Sequence, residues 1–101
     1  MAADGYATFL KEAPAVAAAH RTFIEALAAS QGLDEKTKHL VYIALNAAAG
    51  NPGAAVAHVS FAKKLGASRN EVMDAILMTL TVVGLKGVTS CLPEVLAAYD
   101  R

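Results

Sequence analysis

Only one cysteine, Cys91, occurs among the 101 residues, so no disulfide and no paired-thiol motif can form within a single chain. That usage fits a reducing compartment. Charge is scarce and balanced: nine basic residues face nine acidic ones, and 18% of the chain is charged against roughly 25% in an average soluble domain. No net field draws in nucleic acid or a membrane surface, and neither partner is expected. The longest apolar run falls far short of the roughly 20 residues of a membrane-spanning helix. The opening MAADGYATFLKEA lacks a basic stretch leading into an apolar one. A soluble, cytoplasmic protein is therefore expected. Phosphate-binding glycine loops, dinucleotide fingerprints and recognisable metal-ligand spacings are all missing, so no cofactor and no metal are expected. Strand-type alternation is missing as well, since even TLTVVG continues a helical period.

What is present is helix, with its stops and starts written out. An all-α, single domain spanning residues 1–101 and built of about five to six helices is expected. After a loose lead-in over residues 1–5, Asp4 caps a helix over about 6–13, and Pro14 stops it and opens a second over 15–30 that Gly32 ends. Asp34 caps a third over 35–49, whose core stripe is Leu40, Ile43, Ala44 and Ala47. Residues 50–71 then carry a dense run of punctuation. Gly50 ends one helix, Asn51 caps the next, Pro52 suits its first turn, Gly66 ends it, and Ser68 with Glu71 forms a capping box for another.

The fourth helix, over about 52–65, is expected to bury Ala54, Ala55, His58, Phe61, Ala62 and Leu65, with His58 the lone polar member of its stripe. The fifth, over 69–83, is apolar almost all round. In a chain this short such a helix is expected to be buried between subunits, which predicts a homo-oligomer. Gly84 and Gly87 bracket a break, and Pro93 leads into a last helix ending near Tyr99.

Three histidines are candidates for acid, base or ligand roles near neutral pH. His20 reads as a boundary residue beside Val16 and Ile24. His39 stands on a continuous polar line with Glu35, Tyr42 and Asn46, spaced for one face of the third helix; the alternative is a plain solvated face. His58 sits among small residues, where the alternative is a satisfied core histidine. Cys91, alone and in an apolar neighbourhood, reads as a packing residue.

With these residues in view, the segment over 33–87 resembles the carboxymuconolactone decarboxylase and alkylhydroperoxidase D-like family. The run AHVSFAKKLGASRNEV looks like the family's signature through His58, Ala62, Gly66 and Glu71, and LDEKTKHLVYIALNAAAGN is similar to the helix that leads into its active-site turn. The resemblance implies a helical fold assembled as a trimer or hexamer. It also implies that the Cys-x-x-Cys-x-x-x-His motif of the peroxidase branch falls on Asn51, Ala54 and His58, with His39 at the position of the branch's glutamate. Asparagine and alanine form no thiolate or redox disulfide, so the peroxidase mechanism is disfavoured here. The decarboxylase branch needs no cysteine pair. It implies cofactor-independent acid/base chemistry on a small carboxylated lactone or organic acid, with His58 and His39 catalytic and Tyr42, Asn46 and Asn51 binding substrate. The competing expectation is a non-catalytic ligand-binding or structural member that kept the fold after losing the thiols.

Overall fold

The computed structural model describes residues 4–101; residues 1–3, part of the expected lead-in, lie outside the described residues. The elements are α1 (Gly5–Glu12), α2 (Pro14–Ala29), α3 (Glu35–Ala48), α4 (Pro52–Lys64), α5 (Arg69–Leu77), α6 (Leu80–Val83) and α7 (Lys86–Asp100). With α6 a single turn of 4 residues, six fuller helices remain, and no strand occurs among the described residues. The all-α expectation holds.

The chain divides into two compact units, one holding α1 and α2 and the other running Leu33–Arg101. In the first, the Asp4 carboxylate accepts from the N–H groups of Tyr6 and Ala7, and Pro14 occupies the first turn of α2, as their residue types demand. His20 lies between the rings of Phe9 and Phe23, at centroid distances of 6.0 and 6.3 Å. It is thus part of an aromatic contact between α1 and α2. That helix ends at Ala29 with Ser30 as its cap, before Gly32 is reached.

In the second unit α3 and α4 form a hairpin. Gly50 takes a φ of 72°, the left-handed conformation that a side chain resists, and so turns the chain after α3. Asn51 caps α4 through its side-chain oxygen and Pro52 fills the first turn. The core lies between α3, α4, α5 and α7: Ile43, Ala47, Ala55, Val59, Ala62, Val72, Ile76, Cys91 and Val95 are all buried. Side-chain ties close its edges. Lys36 pairs with Glu71 at 2.9 Å, Arg69 pairs with Asp100 at 2.9 Å, and the Tyr99 hydroxyl donates to the Ala67 carbonyl at 2.8 Å.

Three expectations are corrected. The buried stripe of α4 is Ala55, Val59 and Ala62, while Phe61 and Leu65 are exposed and His58 is half-buried. The helix carries two apolar stripes about one residue step apart, and the one richer in small residues packs because it admits its neighbours more closely. The fifth helix is not continuous over 69–83: α5 stops at Leu77, a turn follows, and Met78, Leu80, Val82 and Leu85 stand exposed. Its apolar character is therefore buried only through Val72 and Ile76. Finally, Pro93 lies inside α7 rather than before it. Proline cannot donate to the carbonyl four residues back, so the burial of Cys91 and Val95 on either side must outweigh a cost of about 3 kcal/mol.

Candidate functional site

The α3–α4 hairpin brings two histidines edge to edge. Gly50 turns the chain, Asn51 and Pro52 fix the start of α4, and packing against α3 and α7 sets the rotation of that helix. Val59 then points into the core, and His58, one step round, points along the flank toward α3. His39 Nδ1 lies 3.0 Å from His58 Nδ1. Two aromatic side chains brace the pair. Tyr42, one turn beyond His39 on α3, lies against the His58 ring with centroids 4.0 Å apart, and Phe61, one turn beyond His58 on α4, stacks on His39 at 5.5 Å and 18°.

A 3.0 Å contact between two ring nitrogens is a hydrogen bond only if one nitrogen carries a proton and the other a lone pair. A neutral pair so bonded holds one proton between its Nδ1 atoms. Burial pushes the pKa of His58 below the usual histidine value, and repulsion from a charged His39 lowers it further. A neutral, base-competent imidazole at near-neutral pH is the result. Such a group can accept a proton from a substrate and, through its partner ring, return one.

The remaining candidates are placed as follows. Tyr42 is in contact with the pair. Asn46 shares its face of α3, but its side-chain amide donates to the Tyr42 carbonyl at 2.9 Å and so braces its own helix. Asn51 is exposed, and its side-chain oxygen accepts from the Ala54 N–H at 3.4 Å as the α4 cap. Glu35 is exposed in the first turn of α3. Cys91 is fully buried on α7, with Ser90 Oγ 3.4 Å from its sulfur. Phe61 is the participant that sequence reading assigned to the core; its position three residues after His58 was the signal, since that spacing puts the two on one face.

Two surface depressions lie elsewhere in this unit. One, of about 520 Å³, runs between α4 and α7 beside Val56, Ser60, Lys64 and Ala98, and the other, of about 340 Å³, lies between α3 and α5 beside Leu40, Ala44, Ala75 and Met78. Neither has His39 or His58 in its lining. No group of three or more histidine, cysteine or carboxylate side chains is placed to hold a metal ion among the described residues. None of the described helices is long and apolar enough to cross a membrane.

Comparison with known proteins supplies the context. The sequence model of the carboxymuconolactone decarboxylase family matches residues 14–97. Among solved structures, the chain is similar to the apo form of a carboxymuconolactone decarboxylase family protein from Legionella pneumophila. The TM-score is 0.81 and the identity 29%, over 94% of this chain and 84% of that one. No curated protein matches the sequence.

Proposed function

The chain belongs to the carboxymuconolactone decarboxylase family, and from that premise we propose that it performs cofactor-independent acid/base chemistry, the decarboxylation of a small carboxylated lactone or organic acid, at His58 and His39. The observation that carries this reading is the 3.0 Å contact between the two Nδ1 atoms, which joins an acid and a base in one half-buried unit. Tyr42, lying on the face of His58, would border the substrate, with Asn46 and Asn51 further along the α3–α4 turn. Decarboxylation leaves an electron pair on carbon, and an imidazole N–H beside it is suited to protonate it. Thiol chemistry has no support at this turn, where Asn51 and Ala54 stand.

We further propose that the protein is a cytoplasmic homo-oligomer, a trimer or hexamer, assembled through the exposed Met78, Leu80, Val82 and Leu85. An apolar patch of this kind is costly to leave in water. A neighbouring subunit on the open flank of the pair would also supply the wall and the cation that a carboxylate substrate needs. Sedimentation of a stable monomer at micromolar concentration would overturn this assembly.

One observation favours a second reading, a ligand-binding or structural member without turnover. Arg69 is engaged by Asp100, Lys36 by Glu71, and Lys63 by the carbonyl of Tyr99, so these cations are already committed to the scaffold. The deciding experiment is CO2 release from a panel of carboxylated lactones and β- or γ-keto acids. Turnover that falls roughly 100- to 10,000-fold in His58→Ala supports the enzyme. Saturable binding of the same compounds with no CO2 release supports the second reading.

A further inference from the structure

The contact between His39 and His58 is unusual in which atoms it joins. The ring centroids are 5.2 Å apart, close to the 3.0 Å contact plus the two ring radii, so the Nδ1 corners point almost straight at each other. Both Nε2 atoms consequently lie on the outer edges of the pair, facing away from one another. A single proton between the two Nδ1 atoms forces the rings into opposite tautomers. The ring whose Nδ1 donates has a bare, basic Nε2. The ring whose Nδ1 accepts carries its proton on Nε2 and is an acid there.

We propose that His39 and His58 form one proton relay with two interchangeable tautomeric states, passing a proton from solvent at His39 Nε2 to substrate at His58 Nε2. The relay deepens the acid/base reading above and rests on it for its substrate. As the C–C bond to the departing carboxylate breaks, CO2 leaves and the bonding pair stays on the substrate as an enolate-like carbanion. His58 Nε2–H transfers its proton to that carbon. The Nδ1 proton of His39 moves to His58 Nδ1, and His39 Nε2 takes a proton from water. The pair, neutral throughout, resets when His58 Nδ1 returns its proton to His39 Nδ1, His39 Nε2 releases one to water and His58 Nε2 takes one up. Over the cycle one solvent proton enters, one C–H bond forms and one CO2 departs. A lone neutral histidine has no such route, because giving up its Nε2 proton would leave an imidazolate. The burial and charge repulsion that disfavour the His58 imidazolium make the neutral route the useful one. Tyr42 and Phe61, braced on the two ring faces, hold the corners in line for the hop.

The test needs no substrate. In the full chain labelled with 15N-histidine, nuclear magnetic resonance above the histidine titration range is expected to show one low-field proton coupled to two Nδ1 nitrogens. The fractional Nδ1 protonation of the two rings is expected to sum to one. In His39→Gln, whose amide can donate to His58 Nδ1 but cannot pass a proton on, His58 is expected wholly in the Nε2–H state and the shared signal is lost. Two rings both in the Nε2–H form, with no coupling between their Nδ1 atoms, would overturn the relay while leaving a single-histidine decarboxylase standing. A coupled pair in a protein that releases no CO2 would support the shared proton and count against the decarboxylase.

Discussion

Gly87 of α7 faces Thr79 so closely that a methyl group on its α-carbon would stand 2.5 Å from the threonine Oγ1 and 3.3 Å from the Ala47 carbonyl oxygen. Thr79 has little room to yield, since its hydroxyl donates to the Ile76 carbonyl at 2.6 Å and the residue is buried. Two effects oppose each other in Gly87→Ala. Helix propensity favours alanine by about 1 kcal/mol, and overpacking costs about 1–3 kcal/mol. With the contact bounded by backbone on one side, overpacking is expected to win, and the urea midpoint should fall. A rise would mean that α7 can move away from the α5–α6 turn.

Ile76→Ala removes a fully buried side chain from the contact of α5 with α3 and α7. A loss of about 2–5 kcal/mol is expected from the cavity and the lost burial. Equilibrium unfolding measures it directly, and a loss under 1 kcal/mol would show that the core collapses to fill the space.

Ser68→Ala breaks one half of the capping box at the start of α5, where Ser68 Oγ accepts from the Glu71 N–H at 3.0 Å and Glu71 accepts from the Ser68 N–H at 2.9 Å. The expected cost is about 1 kcal/mol. Because Glu71 also holds Lys36, hydrogen exchange should quicken at the first turn of α3 as well as α5. Quickening confined to α5 would separate the cap from the ion pair.

Acidification should destabilise the fold in two stages. His58 has its pKa lowered by burial and by His39 from the ordinary histidine value of 6.5, so the unfolded chain binds more protons as pH falls through that value. Stability is then expected to decline from about 6.5 downward and to level off below the folded pKa. A second decline follows below the ordinary glutamate value of 4.5 for Glu71, whose pKa is lowered by its hydrogen bonds from Ser68 and Lys36. Urea unfolding from pH 8 to 4 checks both. In His58→Gln the first stage should shrink, and an unchanged profile would overturn its assignment to His58.

Cys91 should be silent in the native protein. Its sulfur is fully buried in the core, so thiol reagents are expected to label it only after unfolding, and hydroperoxide turnover should be at background. Rapid labelling under native conditions, or peroxidase activity lost in Cys91→Ala, would contradict both expectations.

The local punctuation was legible because each signal acts within a few residues. Asp4, Asp34, Asn51 and Ser68 cap as their side chains allow, and Gly50 turns the chain because few other residues accept its φ. What could not be read was the choice between competing faces. On α4 both stripes are apolar, and only the neighbours on α3 and α7 decide that Val59 goes inward and Phe61 outward. On α5 the apolar run over 69–83 satisfies a helical period throughout. Thr79 nevertheless turns its hydroxyl back onto the Ile76 carbonyl at the break, a tertiary arrangement tied to Gly87. Pro93 misleads for the same reason, since packing on α7 outweighs a local preference. Within the site, the shared face of His39 and Tyr42 was readable from spacing, whereas the atoms through which the histidines meet depend on the hairpin.

The division of labour on α4 bears on how such a protein changes over time. Packing on α4 runs through the buried Ala55, Val59 and Ala62, while His58 and Phe61, whose rings lie 5.8 Å apart, stand outside that stripe. Selection on one side need not disturb the other. A substitution at His58 or Phe61 therefore leaves the buried stripe of α4 untouched. Such a helix lets its outer side change in character while its shape is kept.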